Sequence, residues 1–590
     1  MAFQKIVFNI PLMVTTEKRI VRRAHEPATP DGLPSDLHPV LRRIYGTRQV
    51  RSALELDRSF ERLAAPQQLK GMKDAVALLA AALKEQKRIL VVADFDADGA
   101  TSCALMLRAL RALGARDVDY LVPNRFEYGY GLTPEIVAVA IQRAPDLLVT
   151  VDNGISSVDG VRAAQARGIK VLITDHHLPG SELPPADAIV NPNQPGCEFP
   201  SKALAGVGTA FYTMLALRAH LRTIGWFNEQ GLAEPNLAKL LDLVALGTVA
   251  DVVPLDTNNR ILVSHGLARM RAGQCCPGIR ALVEVGGRQL ERLGVGDLGF
   301  VVGPRLNAAG RLTDMSLGIE CLLADDLERA RELARTLDQL NRERREIERD
   351  MNEQALAAVA ALQLESALPR GLCLFDESWH QGLIGIVAAR VRERTHRPVI
   401  AFAPATGTQI KGSARSVAGL HVRDALDSIA TRHPSVLRKF GGHAMAAGLT
   451  LERAHFEDFT AAFDEEVSRW LSDADLCGTI LSDGELSADD FTLELAQALR
   501  DGGPWGSGFP EPIFDGTFEV VERRIVGEKH LKLVLRAAQG GRTIDAIAFR
   551  AADAPAANER RIRAAYKLDV NEYQGYRNVQ LVVEHLETVE

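Results

Sequence analysis

The sequence predicts an α/β protein: a parallel-sheet domain joined by a long helix to a smaller α/β domain, with a C-terminal β-barrel of OB type. Three observations carry this reading. Short β-branched runs alternate with alanine-rich helical stretches over residues 51–270, the rhythm of βαβ units with right-handed crossovers. A long charged stretch with leucines at helical spacing follows, before a second α/β pattern. The tail, 512–590, holds five short strand-like runs separated by turn signals.

Taken in order, residues 1–50 mix Pro27, Pro30, Pro34 and Pro39 with Arg and His and read as an irregular arm. The first domain, 51–285, contains the runs Ile89–Val92, Leu147–Val151 and Val171–Ile173. They are unbroken by polar residues, as strands buried on both faces are. Helices are expected at Met72–Lys84 and Ala100–Leu113, and the apolar spacing of Leu237–Ala250 predicts a helix that delivers Asp251 at its end. The connector, 286–365, includes a helix over Asp325–Leu362 with Leu327, Leu333, Leu337, Leu340 and Ile347 on one face. Its mixed charges at 341–346 suit a solvated helix spanning two domains.

The second α/β domain, 366–465, carries strands at Gly371–Phe375 and Pro398–Phe402, a helix at Gly382–Arg394 and the glycine-rich turn Phe440–Ala444. The last unit, 466–590, opens with a turn or linker cluster at Gly502–Pro510. Strands are expected at Phe518–Val521, Leu531–Leu535, Ile544–Phe549, Lys567–Val570 and Val579–Val583.

Length and composition bound the function. At 590 residues the chain exceeds one core, and roughly 3 to 5 domains are expected. Seven scattered cysteines without a C-x-x-C pair argue against a disulfide framework and a structural zinc site, so a cytoplasmic setting is expected. No apolar run approaches the ~18 residues of a membrane span. A net charge of −7 disfavours a protein that coats nucleic acid, but not a nuclease whose basic groups line one groove.

The chemistry lies where strands end. Asp94-Phe95-Asp96-Ala97-Asp98, Asp152-Asn153-Gly154 and Asp175-His176-His177 each follow an apolar run, and Asp251 follows a helix. In a parallel sheet the carboxyl ends of the strands face one crevice. So many carboxylates converging there would repel unless cations held them. In an extended segment Asp94, Asp96 and Asp98 would point to one side, with Gly99 allowing a sharp turn. A calcium loop starting at Asp94 would need an acid at Leu105, so that reading fails. Mixed imidazole and carboxylate ligands suit Mn²⁺ or Zn²⁺, with Mg²⁺ tolerated where carboxylates dominate and zinc lowered by the lack of cysteine ligands. Two such ions sharing a carboxylate, roughly 3.5–4 Å apart, suit phosphoester hydrolysis. No G-x-S-x-G elbow and no Walker loop is present.

These motifs, with Gly247-Thr248-Val249-Ala250-Asp251, resemble the four motifs of the DHH phosphoesterases, and Gly441-Gly442-His443-Ala444 resembles the signature of their companion DHHA1 domain. The stretches at 124–131, 303–311 and 412–416, with the tail barrel, resemble the single-stranded-DNA exonucleases of that family. The resemblance implies a metal-dependent 5′→3′ exonuclease that releases mononucleotides, with roles in DNA repair and recombination. It implies metal ligands at Asp96, Asp98, Asp152, His176 and Asp251, with Asp152 bridging two ions and Asp94 adjacent. Smaller phosphatases of the family carry a ligating histidine where this chain has Val92, which leaves Asp94 or water to complete one ion's shell.

His177 is implied at the scissile phosphate, oriented by Asp175. Arg125, Arg305, Asn307, Arg311, Ser413, Arg415, Gly442 and His443 are the implied substrate contacts, the last four in a pocket for a terminal 5′-phosphate. Phe549, Tyr573 and Tyr576 are candidates for base stacking on the barrel. A monomer acting on single-stranded DNA is expected, with a single-stranded-DNA-binding protein as implied partner. A phosphodiesterase for very short RNAs or cyclic dinucleotides is the rival enzyme reading, disfavoured by the extra barrel. A catalytically dead scaffold is disfavoured by the intact acidic motifs.

Overall fold

The computed structural model describes residues 18–24, 32–123, 131–365, 368–437, 439–552, 554–573 and 575–589. In the first domain five parallel strands stand in the order Val118–Leu121, Ile89–Ala93, Leu147–Val151, Lys170–Thr174, Ala188–Val190. In chain order this is 2-1-3-4-5, so the connections leave in opposite directions from the neighbouring strands Ile89–Ala93 and Leu147–Val151. A crevice opens at that switch point beyond the carboxyl ends of the strands. Both strands are buried along their whole length, which their unbroken aliphatic sequences require. The outer strands are short, Val118–Leu121 interrupted by Asp119 and Ala188–Val190 only three residues long, so no extended apolar run announces them.

The long helix is Leu327–Glu365, 39 residues, about 58 Å at 1.5 Å per residue. Its ends belong to different cores. Ala330, Leu333, Ala334 and Leu337 pack into the first domain, and Met351, Ala355, Leu356 and Val359 into the second. Between them the surface is charged, with Arg344 bonded to Glu348 at 2.8 Å. The helix therefore fixes the spacing of the two domains.

In the second domain a mixed sheet runs Lys439–Gly442, Ala446–Glu452, Gln409–Arg415, Val399–Pro404, Leu372–Phe375, with only the last pair parallel. The tail is a closed barrel of Phe514–Val526, His530–Ala537, Thr543–Ala548, Tyr576–Thr588 and Arg561–Tyr573. All neighbours are antiparallel except Thr543–Ala548 with Tyr576–Thr588, the five-stranded closure of the OB type. Phe514, Phe518 and Tyr566 fill its interior.

Two sequence expectations change here. The arm is not wholly irregular: Lys18–Arg22 is a strand parallel to Gly478–Ser482, and Pro39–Thr47 is a helix. The cluster Gly502–Pro510 is a packed turn rather than a free linker. Trp505 and Phe509 stack on each other and on Tyr45, and Leu255 N–H donates to Ser507 O at 2.7 Å. Among the described residues no helix is long and apolar enough to cross a membrane.

Candidate metal centre and phosphate pocket

Asp94 directly follows Ile89–Ala93, Asp152 follows Leu147–Val151, and Asp175 follows Lys170–Thr174. Asp251 is the C-terminal cap of Leu241–Ala250. The three strand ends bring their side chains to the switch-point crevice, as the sequence led us to expect.

The acidic triplet is arranged differently from an extended segment. Asp96 is the N-cap of the helix Ala97–Ala112, one carboxylate oxygen accepting from Asp98 N–H at 2.9 Å and Gly99 N–H at 3.0 Å. Asp98 lies in the first helical turn, fully buried, and accepts from Gly206 N–H at 2.7 Å and Val207 N–H at 2.9 Å. Those amides open the helix Gly206–Thr223, whose positive end favours a carboxylate. Gly99 is helical and makes no turn; a Cβ there would stand 2.4 Å from the Asp94 carbonyl oxygen, so a close packing contact requires it.

Asp152 has φ of 62°, a left-handed conformation costly for a residue with a side chain and characteristic of functional sites. Its buried side chain lies in the middle of the cluster. His176 Nε2 stands 3.1 Å from Asp152 Oδ1, 3.5 Å from Asp251 Oδ2 and 3.9 Å from Asp98 Oδ2. This buried nitrogen makes no hydrogen bond within the protein. Donors around an octahedral ion at about 2.1 Å stand about 3 Å apart, so these spacings are those of co-ligands. Among the described residues three sets have donor atoms within 4.8 Å of one another: Asp94, Asp96, Asp152; Asp98, His176, Asp251; and Asp152, His176, His177. Asp152 belongs to two of them, and Asp94 to the first. Val92 is buried in its strand and contributes no donor.

Electrostatics agree with a cation site. Burial, then the charge of Asp96, pushes the Asp98 carboxyl up to about 7. Burial and the neighbouring carboxylates push Asp152 and Asp251 well above the usual range. Burial drives His176 down to about 4, keeping the imidazole neutral, the form that ligates metal. Burial works against the charge on His177, but Asp175 together with the field of Asp94 and Asp251 holds it up at about 9. Asp175 Oδ1 accepts from His177 Nδ1 at 2.8 Å and from His176 N–H at 2.7 Å, while Oδ2 accepts from Ile155 N–H at 2.9 Å. The two imidazole rings lie 4.4 Å apart and tilted by 56°, His176 Nε2 facing Asp152 and His177 Nδ1 held by Asp175.

The expected substrate residues divide. Arg125 lies outside the described residues. Arg305 is not at the crevice: it is buried, paired with Asp338 of the long helix at 2.8 Å, and bonded to Val301 O at 2.6 Å. Its two-residue offset from Asn307 turns it to the far side of the helix Gly303–Leu312. Asn307 accepts from Ala97 N–H at 2.8 Å, so its carbonyl oxygen holds the acidic loop in place. Arg311 reaches the second domain, donating to Gly382 O at 3.1 Å.

Across the crevice, Ser413 and Arg415 lie on one face of the strand Gln409–Arg415, and Arg415 donates to Ser413 Oγ at 3.0 Å and Ala414 O at 2.8 Å. Among the described residues no carboxylate pairs with Arg415, whose pKa is lowered by burial and then by Arg392. The first turn of the helix Ile384–Thr395 abuts them: a Cβ at Gly385 would lie 2.7 Å from Arg415 Nη2 and 3.0 Å from Ser413 Oγ. A guanidinium, a hydroxyl and a helix N-terminus thus converge, the kinds of donor an anion requires. Gly385 and that helix start are the contributors that sequence reasoning missed; the alternation of Gly382 and Gly385 at a helix entry was the available signal. Gly442, at φ 144°, ends its strand, and His443 in the following turn lies within the field of His177, which lowers its pKa after burial.

A doubly flanked parallel sheet with aspartates and a His pair at its switch point, facing a second α/β domain, defines a divalent-metal phosphoesterase of the DHH class. The model of the DHH family N-terminal domain matches residues 88–248, that of the DHHA1 domain 357–469, and that of the RecJ OB domain 482–585. A single-stranded-DNA-specific exonuclease RecJ of Dickeya dadantii is 55% identical over 570 residues, covering 96% of this chain and 99% of that one. The chain belongs to the RecJ family. Crystal structures of RecJ from Thermus thermophilus in complex with Mn²⁺ (TM-score 0.79, 31% identity) and with Mg²⁺ (0.73, 29%) each cover 97% of this chain, and 80% and 79% of theirs.

Proposed function

We propose that this protein is a Mn²⁺- or Mg²⁺-dependent exonuclease that degrades single-stranded DNA from the 5′ end to mononucleotides, in DNA repair and recombination. The observation that carries the reading is the cluster of Asp94, Asp96, Asp98, Asp152, His176 and Asp251, drawn from four separate chain segments, with one buried imidazole nitrogen 3.1–3.9 Å from three carboxylates. Asp94 and Asp96 would hold one cation, Asp98, His176 and Asp251 a second, and Asp152 would share both. Bound there, such a pair supplies charge neutralisation at the phosphate and an activated water.

The protein's own groups do the rest. Asp175 fixes the Nδ1 proton of His177 and so sets which edge of the ring meets substrate. His177 stabilises charge on the phosphate and hands a proton to the leaving oxygen. Ser413, Arg415 and the start of Ile384–Thr395 bind a terminal phosphate, while Arg311, Gly442 and His443 close the same cleft. An end held there places the first phosphodiester at the metal crevice, which gives 5′ polarity. The barrel holds the trailing strand. Phe549 and Tyr576, 58% and 75% exposed, are available for stacking; the side chain of Tyr573 lies outside what is described.

The reading carries with it a cytoplasmic monomer that works beside a single-stranded-DNA-binding protein. Its free cysteines suit a reducing setting. The test is digestion of 5′- and 3′-end-labelled single strands and duplexes with Mn²⁺, Mg²⁺ or chelator. Mononucleotides from the 5′ end of single strands alone, abolished by chelator, are expected. Undiminished cutting after chelation, or release from the 3′ end, would overturn it.

A further inference from the structure

Phe300 is 80% exposed, an aromatic ring standing in solvent between the fully buried Leu298 and Val302. It lies in a π-helical turn, Leu298–Val302, that runs directly into the helix Gly303–Leu312. Single π-turns are rare and gather at functional sites. The neighbours at 298 and 302 are fully buried, so the turn is firmly anchored and the exposed ring is not the fraying of a loose end.

Phe300, Pro304, Asn307 and Arg311 follow one another at intervals of four, three and four, which sets them along one side of the helical run. Two of them have known surroundings: Asn307 is bonded to the acidic loop at Ala97, and Arg311 to Gly382 of the second domain. That side of the helix therefore looks into the cleft between the metal centre and the phosphate pocket. A Cβ at Gly303 would lie 3.1 Å from the Cβ of Ala250, the residue before Asp251, so the same helix is packed beside the metal cluster. Seven residues separate Phe300 from Asn307, about 10 Å of helix, or about three nucleotides at the ~3.4 Å rise of a stacked strand.

We propose that Phe300 is a positioning residue on which a base of the substrate stacks, within the first few nucleotides beyond the scissile bond. The inference rests on the function proposed above. A flat ring accepts any base, so it would grip the strand without reading sequence. A second exposed apolar side chain borders the same region: Val252, 67% exposed, follows Asp251 with φ of 63°, a backbone conformation that branched residues seldom adopt. Two residues before it, Ala250 abuts Gly303.

The experiment scans one abasic unit along the first six positions of a 5′-phosphorylated single strand and measures kcat and KM for the native protein, Phe300→Ala and Phe300→Tyr. For the native protein, KM is expected to rise about tenfold when the abasic unit reaches the stacked position, with kcat little changed. Phe300→Ala should raise KM by a similar factor on the intact strand and lose the dependence on the abasic unit's position, while Phe300→Tyr should restore both. Thermal unfolding should be unaltered in either variant, because the ring is exposed. An Ala variant with native KM and a native abasic profile would overturn the stacking role. A native protein that cuts no single strand at all would instead remove the exonuclease reading from which the inference starts.

Discussion

Asp152 concentrates the physics of the site in one residue: it is buried, left-handed, and flanked by Asp98, Asp96, Asp94 and Asp251. Asp152→Asn keeps its shape and removes one charge. We expect hydrolysis to fall by about 10³-fold or more, while the chelator-treated variant melts no lower than the native protein, since one buried repulsion is gone. Mn²⁺ should raise the melting temperature of the native protein and do so far less for the variant. Near-native hydrolysis would refute a shared ligand. Arg415 is testable by a different ratio. Arg415→Ala should lower kcat/KM on 5′-phosphorylated strands about 10- to 100-fold relative to 5′-hydroxyl strands, the worth of a charge-assisted hydrogen bond. An unchanged ratio would place the terminal phosphate elsewhere. The strand-end acids were readable because a fully buried strand that ends in a carboxylate delivers a charge to the ligand crevice, where only a cation or a hydrogen-bond cage makes it tolerable. Arg305 was not: without knowing which face of Gly303–Leu312 meets the cleft, a guanidinium paired with Asp338 cannot be told from one awaiting a phosphate.

The helix Gly303–Leu312 is the element that couples the acidic loop to the rest of the molecule. Asn307 caps Ala97, and a Cβ at Gly310 would fall 1.9 Å from the carbonyl oxygen of Phe95. Backbone stands there on both sides, so neither can yield without moving the loop that holds Asp94, Asp96 and Asp98. Gly310→Ala should therefore weaken Mn²⁺ binding about 10- to 100-fold, the usual effect of disturbing what supports a ligand. Titration calorimetry of the variant checks it, and native affinity would mean the loop adapts. In the sequence this segment showed as a motif with three implied substrate contacts, and nothing in it announced its hold on the acidic loop. The three central strands and Met72–Lys84 were legible because a continuous apolar run or a helical period fixes them locally. The strand Lys18–Arg22 was not, because its five residues owe their conformation to Gly478–Ser482, far away along the chain.

At the scale of the molecule the N-terminal arm closes on the C-terminal unit, through the strand pair Lys18–Arg22 with Gly478–Ser482 and through charge. Arg22 Nε donates to Asp515 Oδ1 at 2.9 Å, Arg563 Nη2 to Oδ2 at 3.0 Å, and Ser482 Oγ to Oδ1 at 2.5 Å. Nearby, Arg48 and Asp483 form a buried pair, with Arg48 Nη2 bonded to Asp483 Oδ2 at 2.9 Å. Asp515 thus ties the arm to the first barrel strand and to its neighbour. Burial alone would raise its pKa, but the bonds from Arg22, Ser482 and Arg563 bring it below the ordinary carboxylate value. A carboxyl whose folded pKa is depressed binds fewer protons folded than unfolded, so its stabilisation is complete above the unfolded value, about 3.9, and is lost as pH falls through the folded one. The native protein should accordingly be more stable than Asp515→Asn at pH 7, and the gap should persist to about pH 4 and narrow below it. Melting temperatures of both proteins from pH 7 to pH 3 give the difference, in which the titration of every other carboxylate cancels. A gap independent of pH would assign the contact to shape and hydrogen bonding alone. One that widens on acidification would reverse the sign of the coupling and detach Asp515 from the arm.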